Sequence, residues 1–351
     1  MKIIITSPSL DEKVNVSGIS TLVRQIIERS SLQYIHFLAG KKDNERRGIF
    51  WIFRQILLPI KFYRLVKDSQ AHLIHINTAL NPLSILRDFS LCLIAKRLQK
   101  PVILHIHGGK FLTQEFEKLW LKRITKKMMT DASAILVLSE TEQKIIKERF
   151  GKDALVLKNA VSVEEFSVGK KQKNSIVFLG RMHESKGLFE IIEAFHEIKE
   201  LDFCFTAFGN GEMKEFFIEK MKALLGSKFR FGGVIAGRQK TQILSQADIL
   251  ILPSRYGEGL PIAILEAMAA GCLVIASDIA SVGSVIRNGI NGFLIKPKDA
   301  KQLAEKLKLV LRMDESHKTS IRKKARKTIE SHFDLKNYIQ SLEQIYRKIA
   351  K

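Results

Sequence analysis

Ile249-Leu-Ile-Leu-Pro253, Glu258-Gly-Leu-Pro-Ile-Ala-Ile-Leu-Glu266-Ala-Met-Ala-Ala-Gly271 and Leu273-Val-Ile-Ala276 follow one another and decide the fold. The outer two are unbroken apolar runs of strand length, the pattern of parallel strands buried on both faces. The middle one is helical and sharply bounded. Pro261 suits a first helical position, where a missing N–H costs nothing, and Gly271 suits a left-handed cap. Strand, loop, buried helix, strand is the unit of a doubly wound α/β sheet, whose ligands bind at the carboxyl ends of the strands. From Gly259 to Ser277 the only charged residue is Glu266. A carboxylate there is costly unless it satisfies buried backbone groups or meets a polar ligand. Glu258 lies in the loop before the helix, where such sheets hold ligands.

Working outward, the same alternation occurs twice. Apolar runs at Ile3–Ile5, Tyr34–Leu38, Leu73–Ile76, Val102–Ile106 and Ala134–Leu138 alternate with helical patterns such as Leu83–Leu98. A second set runs through Ile176–Leu179, Phe203–Phe208, Phe229–Phe231, Ile249–Leu252, Leu273–Ala276 and Phe293–Ile295. Between them Ser167-Val-Gly-Lys-Lys-Gln-Lys-Asn174 is short, polar and basic, as linkers are. The expected organisation is two Rossmann-like domains, 1–166 and 167–333, with a final helix over 334–351 packing across the junction. At 351 residues the chain suits two domains of ordinary size. Cys92, Cys204 and Cys272 stand apart among apolar neighbours, which predicts buried free thiols in a reducing compartment and no metal-ligand spacing. The N-terminal apolar run is too short for a signal sequence, and no 20-residue span is uninterrupted, so a cytoplasmic protein is expected.

Lysine and arginine number 58 against 36 acidic residues, a net charge of +22, so the partners should be anionic. The strand Ile176–Leu179 runs into Gly180-Arg181-Met-His-Glu-Ser-Lys186-Gly187 ahead of a helix. Two cations beside a helix N-terminus suit a diphosphate. Gly209 and Gly211, in Phe208-Gly-Asn-Gly-Glu212, permit close approach of backbone to a ligand. In the first half, Val102-Ile-Leu-His105-Ile-His107-Gly108-Gly109 places His107 at a strand end, with His105 on the same face. His75, in Leu73-Ile-His-Ile-Asn77, is a further candidate.

Taken together, Gly-Arg-x4-Lys-Gly, Phe-Gly-Asn-Gly-Glu, Ala247-Asp-Ile-Leu-Ile-Leu-Pro-Ser254, Glu258-x7-Glu266 and Asn291-Gly-Phe-Leu-Ile-Lys-Pro297 resemble the C-terminal half of glycosyltransferase family 4. The resemblance covers essentially the whole chain and is most specific over residues 176–297. It implies a GT-B fold, two Rossmann-like domains with a nucleotide sugar held between them, and retaining transfer without a metal. By motif it implies that Arg181 and Lys186 bind the donor diphosphate and stabilise its departure. Glu258 would contact the transferred sugar, and Glu266 the ribose hydroxyls. Near Pro261, which has no N–H, only Gly259, Leu260 and Ile262 can donate. It places His107 in the donor-sugar pocket. At Ser17-Gly18-Ile19 family members often carry a double glycine; here Ser17 replaces the first, and Gly18 keeps close approach possible. The donor is expected to be UDP-linked, carrying a hexose or N-acetylhexosamine. No Asp-x-Asp occurs, so fixed cations would neutralise the leaving group in place of a metal, and no cofactor is expected.

From Arg46 to Lys67 there are six basic residues and no acidic one. Arg46, Arg47, Arg54, Lys61, Arg64 and Lys67 interleave with Phe50, Trp51, Phe53, Phe62 and Tyr63. Ile49, Ile52, Phe53, Ile56, Leu57 and Ile60 follow helical spacing, with Pro59 a point of kinking or breakage. The stripe fits an interfacial membrane helix and equally a core helix with a basic outer face, and exposed Phe50 and Trp51 would favour the first. A second basic stretch, Lys118–Lys127 with Trp120, could extend the surface. The expected acceptor is therefore a saccharide or a polyprenyl-diphosphate-linked glycan of surface-polysaccharide assembly. The enzyme would sit peripherally on the cytoplasmic face of the inner membrane. A sugar-nucleotide epimerase or hydrolase of the same fold is the alternative. A non-enzymatic basic adaptor explains the charge but not the carboxylate pair, and no nucleic-acid module is present.

Overall fold

The computed structural model describes every residue except 12, 13, 16, 41–47, 117, 257, 258, 280 and 351, together with the side chains of 50 and 113. Glu258, Arg46 and Arg47 therefore lie outside the described residues, as does the side chain of Phe50. Among the described residues, twelve strands form two parallel sheets, and the chain divides into two units.

The first unit comprises Met1–Asn159 and Lys336–Lys351. Its elements are β1 (Lys2–Ser7), α1 (Gly18–Arg29), β2 (Gln33–Leu38), α2 (Ile49–Asp68), β3 (Leu73–Thr78), α3 (Pro82–Arg97), β4 (Val102–Ile106), the single turn α4 (Lys110–Thr113), α5 (Leu119–Asp131), β5 (Ala134–Val137), α6 (Glu140–Phe150) and β6 (Leu155–Val156). The strand order is β2-β1-β3-β4-β5-β6. Every residue of β3 and β4 is buried, which is why these strands read as apolar runs interrupted by histidines, Asn77 and the terminal Thr78.

The second unit, Ala160–Leu335, holds β7 (Ser175–Leu179), α7 (Leu188–Ile198), β8 (Cys204–Phe208), α8 (Lys214–Leu225), β9 (Phe229–Phe231), α9 (Gly237–Gln246), β10 (Ile249–Leu252), α10 (Ile262–Ala269), β11 (Leu273–Ser277), β12 (Phe293–Ile295), α11 (Ala300–Arg312) and α12 (Glu315–His332). The strand order is β12-β11-β10-β7-β8-β9, so the order reverses between β7 and β10. That reversal is the topological switch point at which doubly wound sheets hold their ligands.

The units meet in sequence earlier than the linker composition suggests. Residues 160–166 belong to the second unit, where Val161 bridges Asp334, and the basic segment 167–174 lies inside it rather than ahead of it. The final helix, α13 (Leu335–Ile349), joins the first unit. There Glu343 accepts hydrogen bonds from the Ser30 hydroxyl at 2.7 Å and the Ser31 amide at 2.9 Å. Cys92 and Cys272 are buried free thiols, whereas Cys204, at the start of β8, is exposed.

α2 runs through Pro59 without ending, and its apolar stripe faces solvent. Leu58, Phe62 and Val66 form the buried side, while Ile49, Phe53 and Ile56 are 64%, 58% and 62% exposed. Trp51 is half-buried, so it is not the exposed aromatic anchor expected from sequence; Phe53 takes that place.

Candidate functional site

In the second unit the site is built from loops at the carboxyl ends of β7, β8 and β10. Glycines let these loops interlock. The Gly180 amide donates to the Phe208 carbonyl at 3.1 Å, the Met182 amide to Asn210 at 2.9 Å, and the Met213 amide back to Met182 at 3.0 Å. Gly209 holds φ +139°, and a Cβ there would stand 1.8 Å from the Gly180 carbonyl oxygen. At Gly211, with φ +158°, the same atom would stand 2.3 Å from the Met182 oxygen. No side chain fits either position, so these glycines are required by packing as well as by dihedral.

On this frame Arg181 is exposed and pairs with no carboxylate among the described residues. Lys186 closes a 3₁₀ turn, Glu184–Lys186, and is half-buried. Gly187 follows in the left-handed region at φ +74°, packed against Pro253 of the β10 loop. Arg255, which sequence reasoning passed over, clamps that loop to the turn. Its guanidinium donates from Nε to the buried Glu190 at 2.7 Å and from Nη1 to Glu184 at 2.5 Å, and its amide donates to the Ser185 carbonyl at 2.8 Å. The two segments flanking the switch point are therefore held as one piece. Partners about 70 residues apart leave no local sequence signal.

α10 begins one residue later than expected. Pro261 is the N-cap residue with ψ 119°, not the first helical position, and Ile262 opens the helix. The first amides of a helix lack intrahelical acceptors and face outward along the axis, so Ile262 is available as a donor at the strand ends. Gly259 and Leu260 lie in the turn before it. Gly271 ends the helix at φ +74°, as its residue type predicts.

Glu266 is 4% exposed. Its Oε1 accepts from Lys240 Nζ of α9 at 2.5 Å, so the buried carboxylate is answered by a cation and not by backbone amides. Nothing in the sequence pattern marks Lys240, because α9 lies before β10 and the pair forms only through the fold.

In the first unit His107 follows β4. Its amide donates to the Thr78 carbonyl at 2.8 Å, and its Nε2–H donates to Asn77 Oδ1 at 2.7 Å, an assignment that follows from the amide oxygen being an acceptor. That leaves Nδ1 as a lone-pair acceptor. The glycines after it make room for the next segment; at Gly109 a Cβ would meet the Leu80 amide nitrogen at 2.3 Å. His105 lies against His107 with ring centroids 4.0 Å apart. His75 Nε2 is 3.3 Å from His105 Nδ1, and His75 Nδ1 is 2.5 Å from the Tyr346 hydroxyl of α13. Ser17 is the N-cap of α1, its hydroxyl accepting from the Ser20 amide at 3.3 Å, and Gly18 is the exposed first residue of that helix. Serine at the family's glycine position thus has a capping task here.

Burial holds the His75 and His107 imidazoles down at about 3, and His105 well below its ordinary value. All three are therefore neutral near pH 7, and His107 keeps Nδ1 as an acceptor while Nε2–H donates to Asn77. Unfolded histidines protonate near pH 6.5, His75 and His107 only near 3 and His105 well below its ordinary value, so their contribution is complete above about pH 7 and is lost as pH falls below that. Unfolding free energies from urea titrations between pH 7 and 5, above most carboxylate titration, should fall by up to about 1.4 kcal/mol per pH unit for each histidine. A flat profile there would contradict buried neutral rings.

Comparison with known proteins places these features in a family. Residues 161–328 match the model of glycosyl transferases group 1, and residues 38–165 match that of glycosyltransferase family 4. The putative teichuronic acid biosynthesis glycosyltransferase TuaC of Bacillus subtilis is 25% identical over 271 residues, covering 74% of this chain and 67% of its own. The phosphatidyl-myo-inositol mannosyltransferase of Mycobacterium leprae is 29% identical over 188 residues, 51% of this chain and 50% of its own. Among solved structures, sucrose-phosphate synthase of Thermosynechococcus elongatus superposes with a TM-score of 0.82 at 16% identity, over 99% of this chain and 98% of its own. Anabaena Alr3699/HepE, solved in complex with UDP-glucose, gives 0.79 at 17% identity, over 99% and 100%. At such identities the structures establish the shared GT-B fold. With two adjoining family models running from residue 38 to 328 and the same fold beneath them, the chain belongs to the family 4 glycosyltransferases.

Proposed function

We propose that the protein is a retaining, metal-independent glycosyltransferase. It moves a hexose or N-acetylhexosamine from a UDP-sugar to a lipid-linked or saccharide acceptor in surface-glycan biosynthesis. The observation that carries this reading is the pair Arg181 and Lys186 on the β7 loop, beside the switch point of the second unit. As the bond from the anomeric carbon to the diphosphate oxygen breaks, negative charge gathers on the leaving group. Fixed cations there stabilise that charge without reorganising. Glu266, aligned by Lys240, would accept from the ribose hydroxyls, and the amides of Gly259, Leu260 and Ile262 would donate to the diphosphate. Gly209 and Gly211 would allow close approach of the donor, and Gly18 that of the diphosphate or acceptor. His107 would accept a hydrogen bond from a hydroxyl of the sugar through Nδ1, and Glu258 would contact the same sugar. The UDP and UDP-glucose bound in HepE structures, and the teichuronic acid role named for TuaC, support donor and product class.

The test is a donor panel with nucleotide release as readout, in the presence and absence of pooled polyprenyl-linked glycans and with EDTA. UDP release that needs acceptor, survives EDTA and yields an anomer of the donor's configuration is expected. Release without acceptor would favour the hydrolase alternative, isomerised donor without release the epimerase, and unchanged donor in every case would refute all three.

The acceptor reading rests on the first unit's outer surface. Among the described residues no helix is long and apolar enough to cross a membrane. Yet α2 shows solvent an apolar stripe beside Arg54, Lys61, Arg64 and Lys67. α3 packs on α2 and α5 packs on α3, and Leu83 and Leu86 of α3 and Leu119 and Trp120 of α5 are also exposed. Exposed apolar area rimmed by cations matches an anionic lipid surface, where each cation contributes on the order of 1 kcal/mol. The protein would then work peripherally at the cytoplasmic face of the inner membrane. Sedimentation with anionic liposomes at low salt should carry the wild type down and leave the Phe53→Glu/Ile56→Glu variant in solution. Equal behaviour of the two would remove α2 from the interface.

A further inference from the structure

A second cationic region lies at the opposite end of the second sheet. A cavity of about 660 Å³ opens between the segment entering β7, the residues preceding β10 and β11, and one face of α12. Asp248 and Gly271 stand just before β10 and β11, so the cavity is at the amino ends of the strands. Arg181, Lys186 and the glycine loops are at the carboxyl ends. β10 alone separates the two by its four residues, about 13 Å at the usual strand rise.

Its walls are unusual in charge. Seven lysines and arginines line it against three carboxylates. The carboxylates are already committed. Asp248 receives the ammonium of Lys318 at 3.0 Å, the guanidinium of Arg322, and the Asn174 amide at 3.0 Å. Glu315 pairs with the other Nη of Arg322. Asp314 caps α12 by accepting from the His317 amide at 3.0 Å. Three ammonium groups, Lys170, Lys173 and Lys323, are exposed and have no partner among the described residues. Arg322 is 6% exposed, and its buried Nε has no hydrogen-bond partner.

Lys318, Arg322 and Arg326 repeat every four residues on α12, where like charges repel. Lys318 and Arg322 are answered by Asp248 and Glu315, and Arg326 by Glu330 and the Phe166 and Ala269 carbonyls, so the uncompensated charge of the cavity is that of the three rim lysines. The lining is free of aromatic side chains, and its large apolar members are only Val168 and Met313, so no surface there suits a nucleobase. We propose that this cavity binds a small multivalent phosphate-type anion, such as a polyphosphate or the phosphate end of a phosphorylated sugar, independently of the donor. Lys170, Lys173 and Lys323 neutralise it at the rim, with the Arg322 guanidinium in the wall behind them. Occupancy neutralises the unpaired rim ammoniums and stabilises the second unit.

The probe is inorganic pyrophosphate, titrated calorimetrically at low salt. Because pyrophosphate also suits a donor diphosphate site, the titration is run on wild type and on Arg181→Ala/Lys186→Ala. In that background one pyrophosphate per chain should still bind. Adding Lys173→Glu/Lys323→Glu, both exposed positions, should weaken binding by about tenfold or more, since each reversed charge changes a contact worth on the order of 1 kcal/mol. Adding Lys220→Glu/Lys222→Glu on the exposed face of α8 controls for net charge and should change affinity by less than about threefold. Absence of binding in the Arg181→Ala/Lys186→Ala background overturns the site. So does equal weakening by the α8 pair. Failure of the donor reading looks different: wild type and Arg181→Ala/Lys186→Ala would then titrate alike, whatever the Lys173 and Lys323 substitutions do.

Discussion

Alanine at Lys186, or at Arg181, is expected to lower the rate of acceptor-dependent nucleoside diphosphate release by about 10²- to 10³-fold, as loss of one charge-stabilising donor does in other enzymes. The argument is electrostatic. The diphosphate gains a negative charge beyond its two as it leaves, and the described part of the switch-point loops offers Arg181 with no competing carboxylate. Arg255, the neighbouring cation, is consumed by Glu184 and Glu190 and cannot replace it. Arg181 is exposed, so its loss should leave stability within about 0.5 kcal/mol of wild type, as for other surface positions. A fall in kcat at an unchanged urea midpoint is therefore the expected pattern for Arg181→Ala. Donor affinity should fall less than kcat, since charge grows on the leaving group mainly in the transition state. Arg181→Ala and Lys186→Ala each keeping more than half of wild-type kcat would exclude the assignment.

Most of the fold was legible because buried parallel strands leave a mark that survives without tertiary knowledge. Eleven of the twelve described strands coincide with apolar runs; the exception, Leu155–Val156, is two residues long and half exposed, too short to leave a pattern. Local chemistry was legible too: Gly271 adopts its left-handed cap, and the Gly180–Gly187 turn precedes a helix. What depended on distant partners was not. Lys240 answers Glu266, Arg255 clamps the Lys186 turn, and Tyr346 reaches His75 from 271 residues away. Periodicity also cannot say which face of a helix is inside. In α2 the stripe from Ile49 to Ile60 has the spacing of a core face, yet Leu58, Phe62 and Val66 form the core side. A helix apolar on nearly every side carries too little asymmetry to orient itself from sequence. The domain boundary moved for a similar reason, since linker-like composition at residues 167–174 records solvent exposure and not the place where contacts change partners.

Gly209→Ala should be the most damaging single-methyl change in the second unit. Two costs add at this position. The backbone dihedral, φ +139°, lies where L-residues are strained, and the new Cβ would stand 1.8 Å from the carbonyl oxygen of Gly180, far inside contact distance. Relief requires the Gly180 strand end to move. It cannot do so freely, because the Gly180 amide is bonded to the Phe208 carbonyl and the Gly209 amide to the Gly233 carbonyl at 2.8 Å. Strained dihedrals alone cost on the order of 1–3 kcal/mol, and with the clash the loss should exceed about 3 kcal/mol. Gly289→Ala is the matched comparison. Its φ is +75° and a Cβ there meets nothing within 4 Å, so only the dihedral term, about 1–2 kcal/mol, remains. Urea unfolding of both variants separates packing from conformation, and comparable midpoints would mean that the β7 and β8 loops are not locked as described. If any of the Gly209→Ala protein stays folded, Arg181 is displaced with Gly180, and nucleotide release should fall alongside stability while Gly289→Ala keeps wild-type activity.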